Sequence, residues 1–237
     1  MQMQSRHNWL PYGFLLPALA ITGLVIIYPV LQTGFLSLQN YVLYAPDESR
    51  FVGLAHFKAL WKDEVFWISL GHSVVWVGGI VCLQLLLGLG AALLLNQSFW
   101  WRGLARALVI VPWALPSVII GLIWTWIYDY NVGVLNDLLL RSGLIDQPVA
   151  WLSNPKTSLP AIMLTLVWQG FPFFAVMILA GLQTVPQELY EAARMDGASA
   201  FRQFWHVTLP SIAGIMATAV LLRIIWVANS LDIILVM

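Results

Sequence analysis

The sequence predicts an all-α integral membrane protein, and three observations carry that prediction: its composition, about five apolar runs of membrane-crossing length, and aromatic residues gathered at the ends of those runs. Of 237 residues, 60% are hydrophobic and 9% charged, against roughly one quarter charged in soluble domains. A soluble fold of this composition has too few charged side chains to cover its surface. A helix that crosses a bilayer needs about 20 predominantly apolar residues, and such runs cover 11–38, 67–95, 104–128, 159–182 and 211–236. Trp9 and Tyr12, Trp61 and Trp67, Trp100 and Trp101, the stretch 124–130, Trp151 and Trp205 sit at their ends. Amphipathic rings settle at headgroup depth, which explains the placement.

The same inventory removes other classes. Eleven basic residues balance eleven acidic ones, so the basic excess of a nucleic-acid binder is absent. Cys82 is the single cysteine, and it can build neither a disulfide framework nor a cysteine zinc site. His7, His56, His72 and His206 are scattered without metal-ligand spacing. The sequence carries no G-x-x-x-x-G-K-[ST], H-E-x-x-H or G-x-S-x-G pattern, so any ATP-driven work must draw on a partner.

The first run follows Arg6, and Ala18, Leu19 and Ala20 imitate a signal-peptide cleavage site. It continues to Leu38, too far for a signal-peptide core, and reads as a retained anchor. Between the first two runs, Leu54, Phe57, Leu60 and Trp61 recur at helical spacing with Lys58, Lys62 and Asp63 off the stripe, the pattern of a helix on the membrane surface. Val134, Leu135, Leu138 and Leu139 repeat that pattern between the third and fourth runs. With the N-terminus inside, Arg6, Arg102, Arg106, Arg194 and Arg202 face inward, and Arg50, Lys58, Lys62, Arg141 and Lys156 face outward among Asp47, Glu48, Asp63, Glu64, Asp129, Asp137 and Asp146. The count is even; the short 96–103 turn, with Arg102 and no acid, tips the reading toward an inside N-terminus.

Polar residues within the runs mark a pathway or a packing contact. In the fourth run Trp168, Gln169, Gly170 and Pro172 place an aromatic plate, an amide and a helix irregularity together, which serves sugar binding and helix packing equally. Gln84, in the second run, reads as packing. In the fifth run Arg223 carries an insertion cost of roughly 2.5–3.5 kcal/mol and needs a partner or a water-filled cavity. Arg223 and Asp232 are nine positions apart, half a turn out of phase on a continuous helix, whereas Asn229 and Asp232 share a face. Asp232 is the one acid of the run, and no internal repeat is visible, which disfavours a secondary transporter.

The loop 183–210 is the most informative stretch. Thr184 to Gln187 has the form of a capping box with Pro186 in the first turn, so a helix starts there with Glu188 and Glu191 near its positive end. Gly197 offers a stop, because glycine reaches positive φ at little cost. A second short helix is expected over 199–206, with Pro210 opening the fifth span. Ala192 and Ala193 leave the first arm with a surface that another backbone can approach closely.

Glu191-Ala192-Ala193, then Gly197, then Val207-Thr208-Leu209-Pro210 resembles the EAA motif of ABC importer permeases, with Val207 in place of the usual isoleucine. Further stretches resemble the carbohydrate-importer group of the larger maltose permease subunit and the trehalose and glycerol-phosphate permeases: Phe14-Leu15-Leu16-Pro17 with Tyr28-Pro29, Phe51-Val52-Gly53-Leu54 before Phe57, Gly88-Leu89 leading to Leu94-Leu95-Asn96, Pro112-Trp113-Ala114-Leu115-Pro116, and Trp124 before Asn136. The resemblance spans nearly the whole chain. It implies one transmembrane permease domain over 1–237 with a six-helix type I core, in the cytoplasmic membrane of a bacterium or archaeon, with no cofactor, and as partners a second permease subunit, two cytoplasmic ABC ATPase subunits and an extracytoplasmic sugar-binding protein. It also implies that 183–210 is the coupling loop, with Glu188, Glu191, Ala192, Ala193, Asp196, Gly197, Leu209 and Pro210 at or beside the ATPase surface. Gln169, Trp168, Asn229, Asp232 and Arg223 are the candidates for the sugar pathway. Permeases for amino acids, phosphate or peptides share the EAA motif, so a non-sugar solute is the alternative. The family's sixth span is expected beyond Met237, so the chain reads as part of a longer protein.

Overall fold

The computed structural model describes residues 10–45 and 49–237; Arg6, His7, Trp9, Asp47 and Glu48 lie outside the described residues. Contacts divide the chain into two units, 1–69 and 70–237. In the first, α1 (Leu10–Thr22) and α2 (Tyr28–Leu36) are joined by a π turn, Gly23–Ile27. Pro29 has no N–H to donate, and the wider turn just before it, closed by Tyr28 N–H on Gly23 O, absorbs the mismatch in the ladder. No residue of the apolar window in Tyr12–Leu36 is buried. Two short antiparallel strands follow, β1 (Gln39–Asn40) and β2 (Arg50–Phe51), with Gln39 opposite Phe51. A helix forms where one was expected, α3 (Ala55–Lys62). Asp63 then starts the next helix, its carboxylate accepting from Val65 N–H at 2.9 Å. Trp67 Nε1 donates to Trp61 O at 2.9 Å, which fixes that corner.

The long helix α4 (Glu64–Asn96) runs 33 residues, about 50 Å at 1.5 Å per residue, and carries the chain into the second unit. There α8 (Ser158–Thr184) is the central element. Phe174 and Ile178 of α8 are wholly buried, as are Ile80 of α4 and Ile212 further along the chain. At Gly88 the backbone of α4 lies against α8 so closely that a Cβ would collide with that of Phe174. Leu86, Leu87, Ile119 and Leu122 stay more than 45% exposed, a surface suited to hydrocarbon and not to water.

Two expected spans take a different form. The third, read as 104–128, is broken into α5 (Arg102–Ala114) and α6 (Ser117–Ile127), bent by 96°. The cause is Pro116, which supplies no N–H and forces Leu115 before it into the extended region, φ −84° and ψ 140°. The fifth does not begin afresh at Pro210. The short α10 (Ala200–Gln203) runs through a π turn, Phe204–Thr208, directly into α11 (Leu209–Ala228). The other end of that span is interrupted at 229–231, and α12 (Asp232–Val236) resumes it against α6. The helical phase assumed between Arg223 and Asp232 is therefore lost.

Between α6 and α8 the expected helix α7 (Val134–Arg141) forms. Its Asn136 is buried and ties the connection together: Nδ2 donates to Val149 O at 3.0 Å, while Oδ1 accepts from Val149 N–H and from Trp151 Nε1. Asp129 turns the chain after α6, and the backbone N–H groups of Val132 and Asn131 hold its carboxyl below the usual carboxylate range.

Candidate functional site

α4, α8 and α11 each contribute one polar group to a point deep among them. Arg223 Nε donates to Gln84 Oε1 at 2.6 Å, and Gln84 Nε2 donates to Leu166 O at 2.7 Å. Gln84 is wholly buried and Arg223 is 8% exposed. The amide works as an adaptor: it accepts from the cation and passes a donor to a helix carbonyl, so neither polar end of Gln84 is left unpaired. Space for the guanidinium comes from Gly170, where a Cβ would collide with both the Arg223 guanidinium and the Gln84 amide.

Only Nε of Arg223 is spent on Gln84. The side chain also lines a cavity of about 300 Å³, shared with Trp113 and Ser117 at the α5–α6 break, Gln169 on α8, and Trp226, Ser230 and Asp232 around the α11–α12 break. Both breaks in regular helix thus face one space. Non-helical backbone at membrane depth is tolerated where it lines a polar cavity, and this wall provides a guanidinium, a carboxylate, an amide and two hydroxyls beside two indole faces. Among the described residues Arg223 and Asp232 form no ion pair, so both charges remain available to an occupant.

The structure separates the pathway candidates. Gln169, Arg223 and Asp232 line the cavity together. Trp168 turns aside to pack on Trp124, with ring centroids 5.7 Å apart. Asn229 is exposed at the end of α11, its Nδ2 donating to Ile225 O at 2.7 Å, and it is not part of the cavity wall. Gln84, read as packing, does pack, and it is also the partner that Arg223 needed. Ser117, Trp226 and Ser230 carry no signal in the sequence, and Trp113 enters there only within the stretch 112–116; the two prolines four positions apart, Pro112 and Pro116, were the available sign that the third run would open onto something.

The second site is the loop after α8. Its first helix, α9 (Gln187–Met195), has Pro186 at the N-cap position without a side-chain cap. The expected capping box does not form, because Thr184 Oγ1 turns back to Gly181 O at 2.8 Å. Gly197 does end the helix, at φ +74°. Gly197 N–H reaches Arg194 O at 3.0 Å and Ala198 N–H reaches Ala193 O at 2.9 Å, the paired bonds of a Schellman motif. No residue of α9 is buried, and Glu188, Glu191, Ala192, Asp196 and Gly197 are exposed, with Ala193 half-buried. Leu209 and Pro210 open α11. Two side chains tie the first part of the loop to the helix that continues into α11: Tyr190 Oη meets Thr208 Oγ1 at 3.0 Å, and Gln203 Nε2 donates to Ala198 O at 2.8 Å. Neither tether was visible from spacing.

Residues 84–237 match a family described as binding-protein-dependent transport system inner membrane component. The chain is 38% identical over 236 residues to the trehalose/maltose transport system permease protein MalF of Thermococcus litoralis, covering 100% of this chain and 79% of that protein. It is 36% identical over 239 residues to the sulfoquinovosyl glycerol transport system permease protein SmoG of Agrobacterium fabrum, covering 98% and 77%. Among solved structures, a bacterial ABC transporter involved in import of the acidic polysaccharide alginate is similar over 95% of this chain and 75% of that one, with a TM-score of 0.75 at 22% identity. The same transporter type in complex with an alginate pentasaccharide-bound periplasmic protein gives 0.73 at 23%, over 92% and 72%. At those identities the structural likeness speaks to the fold.

Proposed function

The chain belongs to the family of binding-protein-dependent transport system inner membrane components, and on that premise we propose that it is the membrane-spanning permease subunit of an ATP-driven importer for a sugar. The substrate is a di- or oligosaccharide, delivered by an extracytoplasmic binding protein. The chain works with a second permease subunit and two cytoplasmic ATPase subunits in the cytoplasmic membrane, with its N-terminus inside. Relatives named for trehalose, maltose and a sulfoquinovosyl glycerol support the substrate class.

The observation that carries the reading is the cavity at the two helix breaks. Its volume of about 300 Å³ lies at the lower end of small-molecule sites, roughly 300–1,000 Å³. Hydroxyl groups can donate to Asp232, accept from Arg223 and do both with Gln169, while the Trp113 and Trp226 faces cover the apolar side of a sugar ring. Energy enters at the other site. The exposed α9, with Glu191 and the Ala192–Ala193 surface, seats in the ATPase, and Gly197 sets its angle to α11, the helix that carries Arg223. A movement of the loop therefore reaches the cavity along one continuous piece of helix.

Uptake by the complete transporter tests this. Losing one hydrogen bond to a sugar hydroxyl costs about 1 kcal/mol, so Gln169→Ala and Asp232→Asn are expected to raise the KM for uptake about fivefold with assembly intact. Asn229→Ala, outside the cavity, is expected to leave it unchanged. Wild-type kinetics in both cavity variants for every transported sugar would remove the cavity from the pathway.

A further inference from the structure

A second guanidinium in the apolar part of the chain plays no part in that cavity. Arg106 is half-buried one turn into α5, and its Nη2 donates to Leu95 O at 3.3 Å. Leu95 stands eleven residues along α4 from Gln84, about 16 Å at 1.5 Å per residue. Its carbonyl is one of those that the end of a helix leaves without a partner, so this bond is a cap. The cap leaves the rest of the fork unexplained. Nε of Arg106 is buried and has no hydrogen-bond partner, which holds for no other buried side-chain nitrogen or oxygen among the described residues. Among them no carboxylate pairs with Arg106 either; the ion pair present joins Asp137 to Arg141.

Arg106 borders a separate cavity of about 160 Å³ whose other walls, Leu95, Val109, Ile110, Ala175, Val176 and Leu179, are all apolar. Ile110 and Val176 keep 39% and 38% of their surface exposed, so the cavity opens sideways onto the apolar face of the helices. Just beyond it the α4–α5 turn carries Arg102 together with Trp100, 96% exposed, and Trp101. Indole rings at this position mark the level of the headgroups.

We propose that this cavity holds an anionic phospholipid, its phosphate accepting from the Arg106 guanidinium and the first methylenes of one acyl chain lying against Ile110, Val176 and Leu179. The occupant must be negative at one end, because a cation without a counter-charge forms the polar wall. It must be apolar at the other, because nothing else in the wall can hydrogen-bond through a side chain. A lipid satisfies both at the depth where its phosphate normally resides, whereas free phosphate would have to leave water for a pocket with one donor group. The site adjoins Leu179, one and a half turns before α8 ends at Thr184, so it lies on the face that bears the coupling loop. In the orientation proposed above that is the cytoplasmic leaflet, where basic pockets between helices meet anionic headgroups.

The test is lipid retention by the complete transporter, equilibrated in equimolar phosphatidylglycerol and phosphatidylcholine and examined by native mass spectrometry. The wild type is expected to retain phosphatidylglycerol in preference. Arg106→Gln is expected to lower the retained phosphatidylglycerol at this site about tenfold, the loss of a charge-assisted contact, and Arg106→Lys to restore part of it. Leu179→Trp, which fills the cavity and keeps the guanidinium, is expected to lower it as well, and it decides the matter should Arg106→Gln fail to assemble. Equal retention in wild type and Leu179→Trp overturns the proposal. So does displacement of the lipid by inorganic phosphate, or a cysteine at Ile110 that cross-links to the partner permease regardless of lipid. None of these outcomes touches the uptake measurements, so the importer reading stands or falls separately.

Discussion

Gly170 lacks a side chain because the Arg223 guanidinium and the Gln84 amide occupy the space one would need. Alanine there must displace a hydrogen-bonded pair that is almost wholly buried, or push α8 off α11. Leaving one buried polar group unpaired costs about 1–3 kcal/mol. Gly170→Ala is therefore expected to lower the thermal midpoint of the purified transporter by several degrees, as followed by tryptophan fluorescence; an unchanged midpoint would mean that the Arg223 clamp yields freely. The cost of placing Arg223 in a span was readable from its position alone. Its partner was not, since Gln84 lies 139 positions away and nothing in the spacing of either residue points to the other.

At the scale of elements, one glycine and two prolines set the geometry. Gly197 holds φ +74°, and a Cβ there would meet nothing within 4 Å, so a substitution is penalised by the backbone and not by crowding. A β-branched residue in the left-handed region costs roughly 1–2 kcal/mol or more, whereas asparagine visits it readily. In the complete transporter, Gly197→Val is expected to weaken ATPase copurification or to separate binding-protein-stimulated hydrolysis from uptake, with Gly197→Asn near wild type. Glu191→Lys, which reverses a charge on the exposed face of α9, is expected to act like Gly197→Val. Normal uptake, copurification and stimulated hydrolysis in Gly197→Val and Glu191→Lys together would refute the coupling assignment. The prolines behave differently from one another. Pro116 breaks a span by 96°, while Pro210 is carried by the π turn ahead of it, because a turn closed one residue wider can omit a donor without bending.

For the whole molecule, the testable property is sidedness. The 96–103 turn and the 183–210 loop lie at the same end of the second unit, since α4 and α8 both finish there and Leu95 and Leu179 share one cavity wall. Cysteines at Ser98 and Ser199, in a background lacking Cys82, are therefore expected to be labelled together in intact cells, and only by a membrane-permeant reagent. Ready labelling of both by an impermeant reagent would invert the proposed orientation. Labelling of one without the other would contradict the fold.

The sequence by itself determined the membrane class, where the apolar runs lie, the short helices α3 and α7, and the stop at Gly197. Each of these depends on residues close together in the chain: twenty apolar neighbours, a stripe at helical spacing, one residue type tolerant of positive φ. The EAA resemblance added the family, later met again in the match over 84–237. Pro116 marked where the third run could break, but tertiary structure decided that its two halves fold over at 96° onto one cavity, and that Asn229 and Trp168 stand outside the cavity wall. It also brought Arg223 and Asp232 to one wall despite a helical phase that set them on opposite faces. These outcomes depend on which helices meet and where a helix is interrupted. A wheel drawn on one segment assumes an unbroken 3.6-residue period, and a three-residue interruption at 229–231 is enough to cancel it.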